Sequence, residues 1–460
     1  MIAKKVYFCT KNKIYATMKY NKQFWMWLAI LFCGLTVSSC TFDNPVYQEP
    51  VQTTVDKFFN AEVNKLIDEN YAEVQAKGHA KLVIPRTLYP EGMFTFPKNA
   101  SSDMQYMVAA GYKAYVNGGT VRDGVMGTAS HDVDFSTNAS IDQIVATVPN
   151  AKSFNAFKNI WVVKAYHDGD IETDIAPIFS IFPEYGGKGN VPVTKFPDSP
   201  YCDDLLEDTY SRDFTFNSLY YDYATGDIID YHGGLHDLRE GIVKSIITPD
   251  IYVANDGRSI FRGLRFSAKY DFRIDDDLSK AYVDHIDALG ALNTYNSIYQ
   301  TESGFNSGFS LKFFKLLEQY KVTDFFLTSL KDRLQTPEYK NLVEGMLGEF
   351  DKGGKADFAL IWAAIFWPRV ADELKAKANP TKADIAAIWE KIDKENAANF
   401  KFEYKNYTYV PQFMQDVWYL QTLLDSTTDP TTELKAMDHY AEAQRFFEAR
   451  AQVSLRGHVD

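Results

Sequence analysis

Gly118-Gly119-Thr120-Val121-Arg122-Asp123, followed by His131-Asp132-Val133-Asp134-Phe135, constrains this chain more than any other stretch. Lys113 to Val116 alternates in polarity as a short strand does, and the glycine pair breaks it. Val121 to Met126 then reads as one or two helical turns, and Val133 with Phe135 as a second strand. A Gly-Gly turn entering a helix presents bare backbone N–H groups to a phosphate. Two carboxylates at i and i+2 on a strand face the same side and can share divalent metals. Arg122 adds a charge-assisted donor for an anion. Each piece alone is commonplace: Asp-x-Asp occurs in many solvated turns, and Arg122-Asp123 alone reads as a surface pair.

The pattern continues downstream. Ile160 to Ala165 is a strong strand, and Ile171 to Ile175 alternates as the next. Residues 183–200 are rich in Gly and Pro and read as a loop. Glu207-Asp208 and Arg212-Asp213-Phe214-Thr215-Phe216-Asn217-Ser218-Leu219 come next. Leu219 to Tyr223 and Asp227 to Tyr231 flank Gly226 as a hairpin, leading to Asp230-Tyr231-His232-Gly233-Gly234 and Asp237-Leu238. Asp256, Arg262, Arg265 and Phe266 then open a run with helical spacing, in which Ile260, Leu264 and Ala268 share a face.

In that order, these motifs resemble the class II nucleotidyltransferases, the CCA-adding enzymes and bacterial poly(A) polymerases. The resemblance covers about residues 90–275. More loosely, Val410-Pro411-Gln412-Phe413 with Asp416-Val417-Trp418 is similar to the C-terminal part of the polymerases. It implies an α+β fold: a head with a small mixed sheet, then an all-helical neck, body and tail. It also implies template-independent, two-metal transfer of NMP, with AMP expected, from NTP to an RNA 3′ end.

Roles follow residue by residue from the resemblance. Asp132 and Asp134 would hold Mg²⁺ and activate the RNA hydroxyl. Gly118, Gly119 and Arg122 would grip the triphosphate. Asp208 and Arg212 would line the base and sugar pocket, and Asn217 and Arg265 would add polar contacts near the nucleotide. Glu172 lies on the strand where the family carries an acidic residue and would be catalytic with Asp132 and Asp134, with a strand-edge charge as the equal alternative. Ser211 stands where the family has an arginine that selects the base, and serine cannot supply a two-donor planar fork. Pro177, Gly257 and Ser259 also depart from the family's Arg, Pro and Arg. Metal chemistry is expected to be intact and base selection altered.

Charge pulls the other way. The chain carries 48 Lys and Arg against 61 Asp and Glu, a net −13. Residues 1–40 hold six lysines and no acids, so the remainder stands at −19. Such a body repels polyanions over most of its surface. RNA binding is therefore expected to be weak, local and steeply salt-dependent. A non-RNA acceptor, or a silent binding role for the same fold, is the alternative.

Lys19 and Lys22 precede an apolar run from Phe24 to Leu35, and Val37-Ser38-Ser39-Cys40 follows. A basic stretch, a short apolar run and small residues at a cut site describe a secretory signal. Val-Ser-Ser-Cys also resembles a bacterial lipobox, which implies lipidation of Cys40, a membrane anchor and a location outside the cytoplasm. Met18 is the expected start. The expected layout is a signal over 1–39, a lipidated tether over 40–56, the head over 57–240, the neck over 241–300, and a helical body and tail over 301–460.

Other candidates stay structural. Helical spacing is predicted over residues 57–75, and Ser101-Ser102-Asp103 offers a cap for a helix that Gly111 stops. Phe309, Phe313 and Leu317 share a helical face, and Phe358 to Trp367 continues as a helix that Pro368 ends or kinks. Trp362, Phe366 and Trp367 read as core within it. His167, His232 and His236 make no metal triad by spacing, and Cys9, Cys33, Cys40 and Cys202 have no zinc spacing.

Overall fold

The computed structural model describes residues 52–128, 133–157, 160–167, 171–178, 203–306, 308–354 and 356–456. Asp132, Cys40, the apolar run before it, residues 40–51 of the tether and the 183–200 loop lie outside those residues. The described chain forms two compact units. One holds residues up to Asp256 together with Arg273–Ala281; the other holds Gly257–Phe272 and the chain from Tyr282 onward.

The first unit opens with two helices, α1 (Gln52–Phe58) and α2 (Ala61–Lys77), where periodicity predicts one. Asn60 separates them: its side chain accepts from the N–H groups of Glu62 and Val63 and caps α2. Strand β1 (Leu82–Ile84) and helix α3 (Lys98–Ala109) follow. The Ser101–Asp103 cap is not used. Pro97, with its φ near the helical value, takes the cap position four residues earlier, and Asp103 is buried inside the helix.

Then come β2 (Tyr115–Asn117), α4 (Gly119–Val125), β3 (Phe135–Thr137), α5 (Ile141–Thr147), β4 (Ala151–Phe157), β5 (Ile160–His167) and β6 (Ile171–Pro177). Helix α6 (Leu205–Thr209), β7 (Tyr220–Asp222), β8 (Ile228–Asp230), α7 (Gly234–Arg239), β9 (Ile242–Val243) and α8 (Pro249–Asn255) complete the stretch. Eight strands form one mixed sheet in the order β1-β8-β7-β2-β3-β6-β5-β4. Within that sheet, among the described residues, only the β3–β6 pair is parallel, with Phe135 opposite Ile175 and Thr137 opposite Pro177. The α+β architecture is the expected one, although the sheet is wider than the motifs alone suggest. Strands β1 and β4 sit at its two edges, where no motif marks them.

The second unit is helical. Its first helix, α9 (Arg258–Tyr270), buries Ile260, Leu264 and Ala268 as the spacing predicts. The chain returns to the first unit for the short β10 (Arg273–Ile274), which pairs with β9 there, and for most of α10 (Asp276–Asp284); the helices of the second unit are then α11 (Thr294–Phe305), α12 (Ser310–Gln319), α13 (Val322–Phe326) and α14 (Pro337–Lys352). They continue as α15 (Phe358–Leu374), α16 (Lys382–Glu395), α17 (Val410–Leu424), α18 (Thr432–Lys435) and α19 (Tyr440–Arg456). Pro368 does not end α15, which runs on to Leu374. Burial on all sides holds the helix through the lost hydrogen bond. Trp362, Phe366 and Trp367 are core, as expected, with Phe305 and Phe358 edge-on to Trp362.

Candidate active site

Strand β2 ends at Asn117, and the chain turns at Gly118 with φ +65° and ψ −131°, a backbone that glycine adopts without a Cβ penalty. Its N–H donates to the Leu219 carbonyl at 3.2 Å, so the first motif is stitched to the second by backbone. Gly119 begins α4, and a Cβ there would press on the Arg122 guanidinium.

Arg122 is only 6% exposed. Its Nε donates to Asp123 at 2.8 Å and its Nη1 to the Asn217 amide oxygen at 2.6 Å. Asn217 in turn donates to Asp213 at 2.9 Å, and the same Asp213 oxygen accepts from the Phe214 N–H at 2.8 Å. A line Asp123–Arg122–Asn217–Asp213 thus crosses between the two motifs. Asp213 stands inside a motif the sequence marks, yet nothing local assigns it a role; only this partnership does.

Asp208 is fully buried. It accepts from the Tyr220 hydroxyl at 2.6 Å and from Arg212 at 3.2 Å. Burial pushes the Tyr220 phenol well above its ordinary value, and the Asp208 charge adds to that. Burial disfavours the charged Arg212, but Tyr220 and Asp208 outweigh it and raise the guanidinium. Arg212 Nε is buried without a hydrogen-bond partner, so this cation keeps one unused donor. Ser211 donates to the Asp208 carbonyl at 2.6 Å, a local turn contact made where a long cation would otherwise project.

One face of the sheet gathers the remaining polar groups. Asn117 donates to Ser136 at 3.0 Å across β2 and β3. Asp134, half-buried, precedes β3 by one residue. On β6, Glu172 makes a close ion pair with Lys164 of β5, and Asp174 lies 3.6 Å from the same ammonium. Period-two alternation alone sets Glu172 and Asp174 on one side, and that signal is present in the sequence. The opposite side of β6 carries Thr173, which joins His167 and the buried Asp103 of α3. Burial raises the Asp103 carboxyl, while the hydrogen bonds from Thr173 and His167 work against that rise.

Arg265 lies in the second unit, half-buried on α9 with its guanidinium 5.2 Å from the Phe266 ring centre. Ser259, on the same helix, is fully buried with a hydroxyl that has no hydrogen-bond partner. His232 is buried against Thr209, and burial together with His79 lowers it to about 3, so it is neutral. Among the described residues no three His, Cys, Asp or Glu side chains converge as a metal site, and no helix is long and apolar enough to cross a membrane.

Residues 114–244 match the Poly A polymerase head domain family. The chain is 25% identical over 324 residues to poly(A) polymerase I of Escherichia coli O6:H1, covering 65% of this chain and 66% of that protein. It is 27% identical over 245 residues to the CCA-adding enzyme of Streptococcus uberis, covering 53% of this chain and 56% of that one. In both cases the match spans less than two thirds of the relative's own length. A solved CCA-adding enzyme in complex with CTP shares the fold, with a TM-score of 0.53 at 16% identity, over 80% of this chain and 81% of that one.

Proposed function

We propose, from a chain whose residues 114–244 match a polymerase head, that this protein transfers NMP, AMP first, from an NTP to an RNA 3′ end and releases pyrophosphate. The relatives indicate a nucleotidyltransferase; the substrates and the two-metal course are the proposal. The observation that carries it is the junction of the two motifs through Arg122, Asn217 and Asp213, beside a sheet face that bears carboxylates.

Asp132 and Asp134 would hold Mg²⁺. The donors that this face offers are carboxylate oxygens, the hard ligands such an ion prefers. When bound, Mg²⁺ supplies charge that activates the attacking hydroxyl and steadies the leaving pyrophosphate. The backbone at Gly118 and Gly119 would receive the triphosphate. Arg122 serves by holding the turn, because its donors already reach Asp123 and Asn217. Arg212, a partly exposed cation whose buried Nε has no hydrogen-bond partner, would meet the sugar or base. With Ser211 bound to backbone, discrimination between bases is expected to be loose.

A second reading has its own observation. The −19 body and the Val37-Ser38-Ser39-Cys40 stretch favour an acceptor other than RNA, on a protein anchored outside the cytoplasm through lipidated Cys40. The test is to incubate the purified full chain with Mg²⁺, each labelled NTP in turn and a short RNA primer. Extension that is lost in Asp132→Ala/Asp134→Ala supports the first reading. Nucleotide binding without extension moves the acceptor elsewhere, and binding of neither nucleotide nor Mg²⁺ ends both. Labelled fatty acid incorporated in cells and lost in Cys40→Ala supports the anchor; an unlabelled soluble product sinks it.

A further inference from the structure

Within the second unit, α12, α13 and α14 wall a cavity of about 500 Å³. That volume lies in the range of small-molecule sites. Among the described residues its lining carries three acids and three lysines. Lys315 and Glu318 come from α12, Lys340 and Glu344 from α14, and Asp324 from α13, with Lys321 just before that helix. Their formal charges cancel, so the site attracts neither a polyanion nor a bare cation.

The two signs are separated in depth. The Glu318 side chain is 9% exposed, against 43% for Lys340. Lys315 and Lys321 are more exposed still, at 52% and 60%, while Glu344 and Asp324 are largely buried. Carboxylates form the floor and ammonium groups the mouth.

Charge is balanced here, but hydrogen bonding is not. Lys340 Nζ lies 3.2 Å from Glu318 Oε2 and 3.6 Å from Glu344 Oε1. It is misaligned for the first and too distant for the second, so neither buried oxygen accepts a hydrogen bond from a described residue. Lys315 takes the other Glu344 oxygen at 2.9 Å. Burial raises the Glu318 carboxyl, and Lys340 works against that rise. A buried acceptor without a donor is costly, and an N–H group brought by a ligand removes that cost. An ion-pair network built only for stability would aim its donors at these oxygens.

We propose that this cavity binds a small zwitterion, a free amino acid or a dipeptide. Its ammonium meets Glu318 and Glu344, and its carboxylate meets Lys315 and Lys321. The ammonium supplies the donors that Lys340 does not align. Lys321 has charge to offer, because its ion pair with Asp324 is 3.8 Å long, beyond hydrogen-bond distance. The nucleotidyltransferase reading neither supplies nor requires this site.

Isothermal titration calorimetry of the full chain, with each common amino acid and with glycylglycine, tests this. One-site binding of at least one of these probes is expected. Tighter binding of glycylglycine than of any free amino acid assigns the peptide, and the reverse assigns the amino acid. Acetylating the ammonium of the best probe, or amidating its carboxylate, is expected to weaken it about ten-fold or more. Glu318→Gln is expected to weaken the best probe by a similar factor, about ten-fold. Lys321→Gln changes an exposed side chain and decides the matter where Glu318→Gln alters the fold. It is expected to weaken the best probe about three-fold and to leave its amide unchanged. Binding of none of the probes overturns the proposal. So does equal binding of the acetylated or amidated form, or binding of putrescine or inorganic phosphate as tight as that of the best probe. A Lys321→Gln chain that binds the probe as the wild type does, or loses probe and amide alike, overturns it too.

Discussion

Arg122 and Asn217, 95 residues apart, are joined by a 2.6 Å hydrogen bond from guanidinium to amide oxygen. Asn217 also reaches Asp213, so one amide ties the phosphate turn to the second motif. Asn217→Ala removes both bonds and leaves buried groups unsatisfied. A loss of about 1–3 kcal/mol in urea unfolding is expected, with nucleotide affinity falling alongside. An unchanged urea midpoint would mean that the tie contributes nothing to stability.

Asp208 separates two kinds of contact. Tyr220→Phe deletes one hydrogen bond but leaves the Arg212 pair, and about 1 kcal/mol is expected. Asp208→Ala leaves the half-buried Arg212 guanidinium without its carboxylate and Tyr220 without its acceptor, and about 2–4 kcal/mol is expected. Equal losses in chemical denaturation would show that the ion pair adds nothing beyond the hydroxyl contact.

His232 sets a pH slope. Its folded value is lowered to about 3, below the ordinary 6.5, by burial and then by His79. Its contribution to stability is therefore complete above pH 6.5 and is lost as pH falls toward 3. The unfolded chain takes up a proton there that the folded chain refuses. Stability is expected to drop by about 1.4 kcal/mol per pH unit in that window from this group alone. The wild-type slope minus that of His232→Gln isolates it; identical slopes between pH 6 and 4 would refute the assignment.

Gly234 opens α7 directly against the Thr215 backbone, with its ideal Cβ position 2.7 Å from the Thr215 carbonyl carbon. Backbone cannot swing aside as a side chain can. Gly234→Ala should push α7 away and break the 2.7 Å bond between Thr215 and Asp237. A cost of about 1–3 kcal/mol is expected, read as a lower thermal midpoint. Gly78→Ala has open space but a positive φ, and should cost about 1 kcal/mol at a helix end. The order of the two midpoints is the check.

Local physics accounts for what could be read from residues alone. Alternation places β2, β3 and β6, Gly226 with φ +77° turns the β7–β8 hairpin, and 3.6-residue spacing marks α9 and α15. The motifs likewise announce their own chemistry, because a glycine turn and paired aspartates act through neighbours in sequence. Where local signals compete, the longer-range arrangement wins. Pro97 rather than Ser101 starts α3, since Asp103 is drawn inward to His167, and α15 passes through Pro368 because its core holds it. The partnerships that define the site are of the second kind. Arg122 meets Asn217, Asp208 meets Tyr220, and Phe135 comes opposite Ile175 only when separate strands pair. No local pattern encodes that parallel register, because it depends on burying both faces of the sheet at once.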